Sequence, residues 1–160
     1  MARSVDRVRE YLQLTNVPVQ VQELPGSTRT AQLAAQAVGS QLGQIVKSLL
    51  FIDDRDRALL ALVAGDRRAD PAKIAAAAGS QSARIANADE VRARTGYAIG
   101  GVPPLAHDEG ALAQTLMDSS LGRFEIVWAA AGAPNAVFRI ERARLQELAN
   151  ASMVDIAASE

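Results

Sequence analysis

Residues 45–64 read IVKSLLFIDDRDRALLALVA, in which two apolar runs flank a charged segment. Side chains of a strand alternate between two faces, so the first run predicts a strand that is apolar on both faces. Each face has one exception, Lys47 on one and Ser48 on the other. Because a strand with two apolar faces is buried on both sides, we predict a central strand at 45–53, paired with a second strand at 58–64.

The segment DDRDR at 53–57 joins the two apolar runs. Because runs of charged residues lie mostly in solvent, the segment is predicted to be an exposed hairpin turn. This interpretation assigns Asp53, Asp54 and Asp56 to a solvated surface and not to a site.

Outward from these strands, helix and strand patterns are mixed. Helices are predicted after the cap Ser4, at 31–38, from Asp70-Pro71 to Gly79, before Gly96, and after Glu141. Further strands are predicted at 17–21, 84–86, 112–117, 124–130, 136–140 and 154–156. Because the order is not a steady βαβ alternation and contains hairpins, it predicts an α+β fold and not a doubly wound parallel sheet.

The composition indicates a single soluble domain covering residues 1–160. Aromatic residues are 4% of the chain, so the core must come from Ala, Val, Leu and Ile. The absence of cysteine excludes disulfides, thiolate metal sites and a cysteine nucleophile, and it is typical of a reducing cytoplasm. The charged start MARSVDRVRE has no apolar signal core, and the longest apolar run, 58–64, is too short to span a bilayer. We expect a cytoplasmic protein without a membrane segment.

The net charge is −1 and the sequence pI is about 5.9. Proteins that clamp long nucleic-acid duplexes carry a basic excess, because neutralising phosphates supplies much of their affinity. A nucleic-acid partner of this chain would therefore be held at a small spot, such as a single-stranded end, or be supplied by another protein.

A second notable stretch is TGYAIGGVPPLAH at residues 95–107. Gly100 and Gly101 allow close approach of backbone N–H groups to a ligand, and the prolines that follow fix the shape of the loop. Taken alone, the stretch fits either a tight connection between strands or a binding site, because Gly and Pro are common turn residues.

Few side chains are candidates for chemistry. Lys47, on an apolar strand face, needs a partner or a route to water for its ammonium group. His107 fits a surface loop residue or a general base. No G-x-S-x-G, G-x-x-x-x-G-K-[ST] or metal-ligand spacing is present, so we predict no metal and no cofactor, and we assign Trp128 to the core. Catalysis would then depend on backbone N–H groups and a positioned lysine.

Four segments together resemble a known family. They are STRTA at 27–31, QIVKSLLF at 44–51, TGYAIGGVPPLAH at 95–107 and WAAAG at 128–132. In this order they are similar to the YbaK-type aminoacyl-tRNA deacylases, the free-standing relatives of the editing domain inserted in bacterial prolyl-tRNA synthetases. The likeness covers essentially the whole chain.

The resemblance implies a curved mixed β-sheet, partly barrel-like, surrounded by helices. It also implies hydrolysis, in trans, of mischarged aminoacyl-tRNA at the acceptor CCA end, with an aminoacyl-tRNA synthetase as a further candidate partner. The family relies largely on the substrate for reactivity, through the free hydroxyl of the terminal ribose or a substrate thiol.

The resemblance also assigns roles to residues. Lys47, Gly100 and Gly101 match the catalytic lysine and the glycine loop of the family. The substrate contacts that it implies are Thr28, Thr30, Ile99, Val102, Pro103, His107 and Gly132.

Two departures argue against cysteinyl-tRNA as substrate. Cysteinyl-type members have Gly-Gly-Ile-Ser-Pro-Leu-Gly where this chain has GGVPPLA, and they carry an Asp near the position of Val137. Two alternative functions stay open at this point. One is a non-catalytic module that binds tRNA ends or a nucleotide and acts with a synthetase, and the other is a different hydrolase that uses His107.

Overall fold

Five α-helices and eight strands form within residues 3–25 and 30–159, the part of the chain that the computed structural model describes. The helices are α1 (Ser4–Leu14), α2 (Ala31–Val38), α3 (Pro71–Ala78), α4 (Ala88–Thr95) and α5 (Arg142–Ala149). The strands are β1 (Val21–Glu23), β2 (Ile45–Asp53), β3 (Ala58–Ala64), β4 (Ala83–Ile85), β5 (Gln114–Asp118), β6 (Ile126–Ala130), β7 (Ala136–Glu141) and β8 (Ser152–Val154). The predicted α+β class is confirmed.

All eight of these strands belong to one mixed sheet in the order β1-β7-β6-β2-β3-β5-β8, with β4 also paired to β2. The central strand β2 pairs antiparallel with β3 in unbroken register from Val46↔Ala64 to Ile52↔Ala58. Every residue of β3 is buried, as the apolar run predicts. The predicted bounds of both strands are confirmed.

The opposite edge of β2 is divided between two partners. Ile45 and Val46 pair in parallel with β6, whereas residues 51–53 pair antiparallel with β4. Between these two ladders the described residues provide no strand partner for 47–49. The sheet is therefore open at this point, and we call this opening the break in the β2 edge.

Short polar side chains cap the starts of two helices. The Thr30 side chain accepts a hydrogen bond from the Leu33 N–H at 3.1 Å and caps α2. Asp70 caps α3 in the same way, at 2.9 Å from the Ala72 N–H. These contacts satisfy N–H groups that a helix start leaves without partners.

The two faces of β2 contact different cores. Val46 and Leu50 belong to a large cluster that also contains Val8 of α1 and Val102 of the 95–107 loop. Phe51 lies on the other face and packs in a second cluster, with residues of α3. The predicted division of β2 into two apolar faces is confirmed.

Two predictions near the first helix and strand are wrong in detail. Arg3, and not Ser4, occupies the cap position of α1. The strand predicted at 17–21 begins only at Val21, because the Val19 N–H donates to the Val17 carbonyl at 2.8 Å and closes a tight turn. Val17 itself is buried in the core, which explains its apolar character.

The prediction of a fully solvated turn at 53–57 is also wrong for Asp53. Its carboxylate is buried and accepts hydrogen bonds from Ser80 Oγ at 2.6 Å, Arg57 Nε at 2.9 Å and the Arg55 N–H at 3.0 Å. Burial acts to raise the pKa of Asp53, but these hydrogen bonds outweigh it and hold the pKa well below its ordinary value. Asp53 therefore ties the hairpin to the end of α3.

None of the helices in the described ranges is long and apolar enough to cross a membrane.

Candidate active site

A cavity of about 470 Å³ lies at the break in the β2 edge. Its size is within the usual range of ligand pockets. Residues from both faces of β2 line it, together with α2, β6, β7 and the glycine loop. Its walls are mostly small and apolar, and Lys47 is the one charged side chain among the described lining residues. The lining consists of Thr30, Ala31, Gln32, Ala34, Leu42, Ile45, Val46, Lys47, Ser48, Leu49, Gly65, Ile99, Gly100, Val102, Trp128, Ala129, Ala130, Pro134, Ala136 and Val137.

Lys47 is half-buried, and its ammonium group donates a hydrogen bond to the Arg67 carbonyl. An ammonium group has three N–H donors, so further donors are available to a ligand in the cavity. Burial lowers the pKa of Lys47 below its ordinary value of 10.5, Asp66 opposes this effect, and Arg68 adds to it. Lys47 is thus a positioned cation that burial has partly removed from water.

The turn after β3 holds the carbonyl that Lys47 contacts. Asp66 binds Arg123 through two hydrogen bonds, at 2.9 and 2.7 Å, and also contacts Arg67 at 3.2 Å. These contacts lower the pKa of Asp66, with the Arg123 hydrogen bond as the main cause. At the start of the turn, a Cβ on Gly65 would lie 2.4 Å from the Leu42 carbonyl oxygen, so only glycine fits there. The lysine is therefore positioned by a rigid support.

The glycine loop lines the same cavity as Lys47, through Ile99, Gly100 and Val102. The Gly101 N–H donates to the Ala98 carbonyl at 2.9 Å, so it is used within the turn of the loop. Gly100 has a φ of 86°, lines the cavity, and donates its N–H to no acceptor within the described residues. The Gly100 N–H is thus a loop amide without an acceptor in the described chain, as is the N–H of Val102, which also lines the cavity.

Close backbone packing holds this loop in place. The Gly132 N–H donates to the Gly101 carbonyl at 2.9 Å. A Cβ on Gly101 would lie 2.7 Å from the Cα of Ala133, and one on Gly132 would lie 2.5 Å from the Ser4 carbonyl oxygen. Both contacts are shorter than a side chain permits, so the two glycines allow the loop, the 130–134 segment and α1 to meet.

His107 supports the loop from behind and does not line the cavity. Its Nε2 lies 2.7 Å from the Pro103 carbonyl oxygen, so Nε2 carries the proton and donates. Burial lowers the pKa of His107 below its ordinary 6.5, although the Pro103 carbonyl opposes this effect. The ring packs edge-on against Tyr97, whose hydroxyl donates to the Ala106 carbonyl at 2.6 Å. His107 is a half-buried residue that helps to hold the loop through its hydrogen bond to Pro103.

The structure brings five of the predicted site residues to the cavity and places four behind it. Those that line the cavity are Lys47, Gly100, Thr30, Ile99 and Val102. Those behind it are Gly101, Pro103, His107 and Gly132, which hold the loop. Thr28 lies outside the described residues.

Several cavity residues were not among the predicted contacts. Trp128 is predicted to lie in the core, but it is half-buried and forms part of the wall. In the sequence Ser48 is only a polar exception on its strand face, and no pattern there places Pro134 or Val137 at the site. Trp128 lies in the WAAAG segment of the resemblance, which was the one sequence signal for it. Within the described chain, no three His, Asp or Glu side chains form a group that could hold a metal ion.

A mostly apolar cavity with a few polar groups is typical of sites that bind a small molecule or the end of a larger one. The chain belongs to the aminoacyl-tRNA editing domain family, whose model matches residues 26–148. The resemblance found in the sequence is thereby confirmed, and family membership supports a role in tRNA editing.

Relatives and solved structures agree with this assignment. The uncharacterized protein YwhH of Bacillus subtilis is 35% identical over 146 residues, which cover 90% of each chain. EbsC of Enterococcus faecalis, a proposed deacylase of Cys-tRNA(Pro) and Cys-tRNA(Cys), is 28% identical over 76 residues, 48% of this chain and 46% of EbsC. A solved structure of a proposed trans-editing enzyme for prolyl-tRNA synthetase is 42% identical, covers 99% of both chains and has a TM-score of 0.90.

The family also occurs inside larger proteins. The proline–tRNA ligase of Thermosipho africanus is 36% identical over 83 residues, which are 52% of this chain but 15% of the ligase. The chain therefore resembles one segment of such a ligase and not the whole enzyme.

Proposed function

We propose that this protein is a trans-editing hydrolase of the cytoplasm, which cleaves the ester between a wrongly attached amino acid and the 3′ end of a tRNA. The observation that carries the proposal is the position of Lys47, half-buried at the break in the β2 edge. It lines the same cavity as Gly100, whose N–H has no acceptor among the described residues. The similarity to the proposed trans-editing enzyme for prolyl-tRNA synthetase supports it.

Lys47 supplies the positive charge that the end of a tRNA requires. Its ammonium group, held by the Arg67 carbonyl, binds a phosphate or ribose oxygen of the acceptor end. Burial lowers the pKa of Lys47 because it removes water from the ammonium group, and an anionic partner compensates for the lost water. A net charge of −1 agrees with contact limited to the CCA end.

The loop supplies a donor to the ester. The Gly100 N–H donates to the carbonyl oxygen of the ester, where negative charge develops during attack. A water oxygen bonds to the carbonyl carbon, the bond from that carbon to the ribose oxygen breaks, and a proton passes to the ribose oxygen. The products are the free amino acid and a tRNA with an intact terminal diol.

The substrate supplies the proton-transfer group. The described residues that line the cavity include no carboxylate, imidazole or thiol that could act as a general base. The neighbouring hydroxyl of the terminal ribose is close to the reacting ester in any aminoacyl-tRNA. We therefore propose that this hydroxyl orients the water and assists departure of the tRNA.

Release of amino acids from a panel of mischarged tRNAs tests the proposal. At least one should be hydrolysed well above the buffer rate, and Lys47→Ala should lower that rate by about 100-fold or more, the usual cost of removing a transition-state contact. The variant should keep its thermal stability, because it removes a poorly solvated charge. A tRNA ending in 2′-deoxyadenosine, charged on its 3′ oxygen, should lose a similar factor.

Lys73→Ala is the matched control. Lys73 is the only other lysine in the chain, and it binds Asp155 at 3.1 Å outside the cavity. This variant should keep the wild-type rate. Full activity in Lys47→Ala would contradict the role of the lysine. Binding of uncharged tRNA ends without hydrolysis of any ester would instead identify a non-catalytic module.

A further inference from the structure

Ser48 lies next to Lys47, but its backbone faces a different edge of the sheet. The N–H and C=O of one strand residue point to the same edge, and successive residues alternate between edges. The Ile45 carbonyl accepts from the Gly65 N–H at 2.8 Å, so odd-numbered residues of β2 face β3. The Leu50 carbonyl accepts from the Ala86 N–H at 2.9 Å, so even-numbered residues face the opposite edge.

On that opposite edge, Ser48 is the residue that lies in the break. The ladder with β6 ends at Val46, and the contacts with β4 begin at Leu50. The Ser48 N–H and C=O therefore point into the break, and no residue in 3–25 or 30–159 pairs with them. The cavity occupies the same position, with Ser48 in its wall.

The side chain of Ser48 gives a second, independent observation. Its Oγ is buried and has no hydrogen-bond partner within the described chain. Buried hydroxyl groups are nearly always paired, because an unpaired one loses its hydration without compensation. Ser48 thus has three polar groups without a partner among the described residues, in a mostly apolar wall: one amide donor, one carbonyl acceptor and one hydroxyl.

We propose that Ser48 binds the aminoacyl group of the substrate as a one-residue β-bridge, an inference that rests on the proposed function. In an antiparallel pair, two opposite residues exchange N–H···O bonds in both directions. The α-amino group donates to the Ser48 carbonyl, and the Ser48 N–H donates to the ester carbonyl, beside the Gly100 N–H. The aminoacyl residue then fills the break between β6 and β4, as an added strand does at a sheet edge.

This arrangement gives Ser48 and Lys47 separate tasks. Their side chains point to opposite faces of β2, so Ser48 Oγ and the Lys47 ammonium group lie on different sides of the strand. Ser48 Oγ adds an acceptor for the α-ammonium group. Because the bridge reads only backbone atoms, Ser48 requires a free α-amino group, whereas the apolar walls select the amino-acid side chain.

Three esters of one tRNA test the bridge. They carry the same side chain with an α-amino group, an α-hydroxyl group or only hydrogen at that position, and each enzymatic rate is divided by the spontaneous rate of the same ester. The wild-type protein should favour the aminoacyl ester over the desamino ester by about 10- to 100-fold, the value of a hydrogen bond to a charged group. The hydroxyacyl ester should lie between them.

Two variants separate the backbone from the hydroxyl. Ser48→Pro removes an N–H that has no ladder partner, and it should lower hydrolysis of the aminoacyl ester about 100-fold. Ser48→Ala removes only Oγ, and it should reduce the preference for the aminoacyl over the desamino ester while the melting temperature is kept. If Ser48→Pro does not fold, the rates of the three esters with the wild-type protein still test the β-bridge.

The outcomes distinguish this inference from the proposed function. Equal normalised rates for the aminoacyl and desamino esters would overturn the bridge while the hydrolase stands. No hydrolysis of any aminoacyl ester would overturn both. An unchanged preference in Ser48→Ala, with an unchanged rate in Ser48→Pro, would also exclude Ser48.

Discussion

The two edges of β2 differ completely in how they are used. Towards β3, seven consecutive residue pairs form a continuous ladder, and every β3 residue is buried. Towards β6 and β4, pairing stops between Val46 and Leu50, and the cavity begins. One strand therefore serves as the centre of the core on one edge and as the wall of a binding site on the other.

This contrast shows how a small domain can keep a rigid site. Lys47 and Ser48 are held in register by the complete ladder, although their functional groups face an opening. Strand backbone constrained on one edge is more precisely positioned than a loop, and a precisely held group is more effective for binding and catalysis. The comparison predicts that damage to the two edges has different consequences.

The largest effect on stability is expected at the edge of β2 that pairs with β3. Leu60 is fully buried in β3 and pairs with Leu50 on one side and Thr115 on the other. Leu60→Ala removes buried methyl groups and leaves a cavity, so it should lower the free energy of unfolding by about 2–5 kcal/mol. Urea unfolding followed by circular dichroism measures this loss.

The rate per folded molecule of Leu60→Ala should stay within about two-fold of the wild type, because Leu60 does not line the cavity. Active-site titration or a correction for the folded fraction gives that rate. A fall in the rate per folded molecule as large as that of Lys47→Ala would show that the two edges are not separate.

A smaller loss of stability, together with a loss of activity, is expected in the glycine loop, which lines the cavity at the break in the β2 edge. A Cβ on Gly101 meets the Ala133 backbone at 2.7 Å, so Gly101→Ala must displace the loop or the 130–134 segment. We expect a loss of about 1–3 kcal/mol of stability, typical of overpacking, and a rate at least about tenfold lower.

Gly122→Ala is the matched control for Gly101→Ala. The nearest atom to its added Cβ is Met153 Cε at 4.0 Å, so it should cost little stability and no activity. Thermal melts and deacylation rates of the two variants give the comparison. Equal behaviour of both would mean that the close contact at Gly101 is not required.

The smallest effect is a change in pH dependence at the support of the loop. The pKa of His107 lies below its ordinary value of 6.5 in the folded protein. As the pH falls below 6.5, the unfolded chain therefore takes up a proton at His107 at a higher pH than the folded chain does. This contribution to stability is therefore present above pH 6.5 and is lost below it. In His107→Gln, whose amide can donate to the Pro103 carbonyl without titrating, the melting temperature should fall less steeply between pH 6.5 and 5. If the melting temperatures of the two proteins fell equally with pH, a lowered pKa of His107 would be contradicted.

Local signals predicted much of the fold. The apolar runs at 45–53 and 58–64 and the glycines after α2, α3 and α4 fixed element bounds that the structure confirms. The prediction of a solvated Asp53 is wrong because its burial depends on Ser80, which is distant in the sequence. Val17 was misassigned because a buried turn residue and a strand residue have the same apolar character.

The site was predictable only in part, and the reason is again distance along the chain. Lys47 was found because a charge stands out on an apolar strand. Trp128 and Pro134 reach the cavity only because β6 pairs in parallel with β2, a contact between residues about 80 positions apart that no local pattern encodes. The break itself depends on where two separate strands stop pairing, so the role of Ser48 could not be predicted from the sequence.

The position of Trp128 has a practical consequence. It is the single tryptophan of the chain, and it is half-buried in the cavity wall, paired in register with Ile45. The fluorescence emission of an indole is sensitive to the polarity of its surroundings. The emission of Trp128 is therefore expected to change when a ligand replaces water in the cavity. Binding of tRNA ends can thus be followed by the intrinsic fluorescence of Trp128, without an added label.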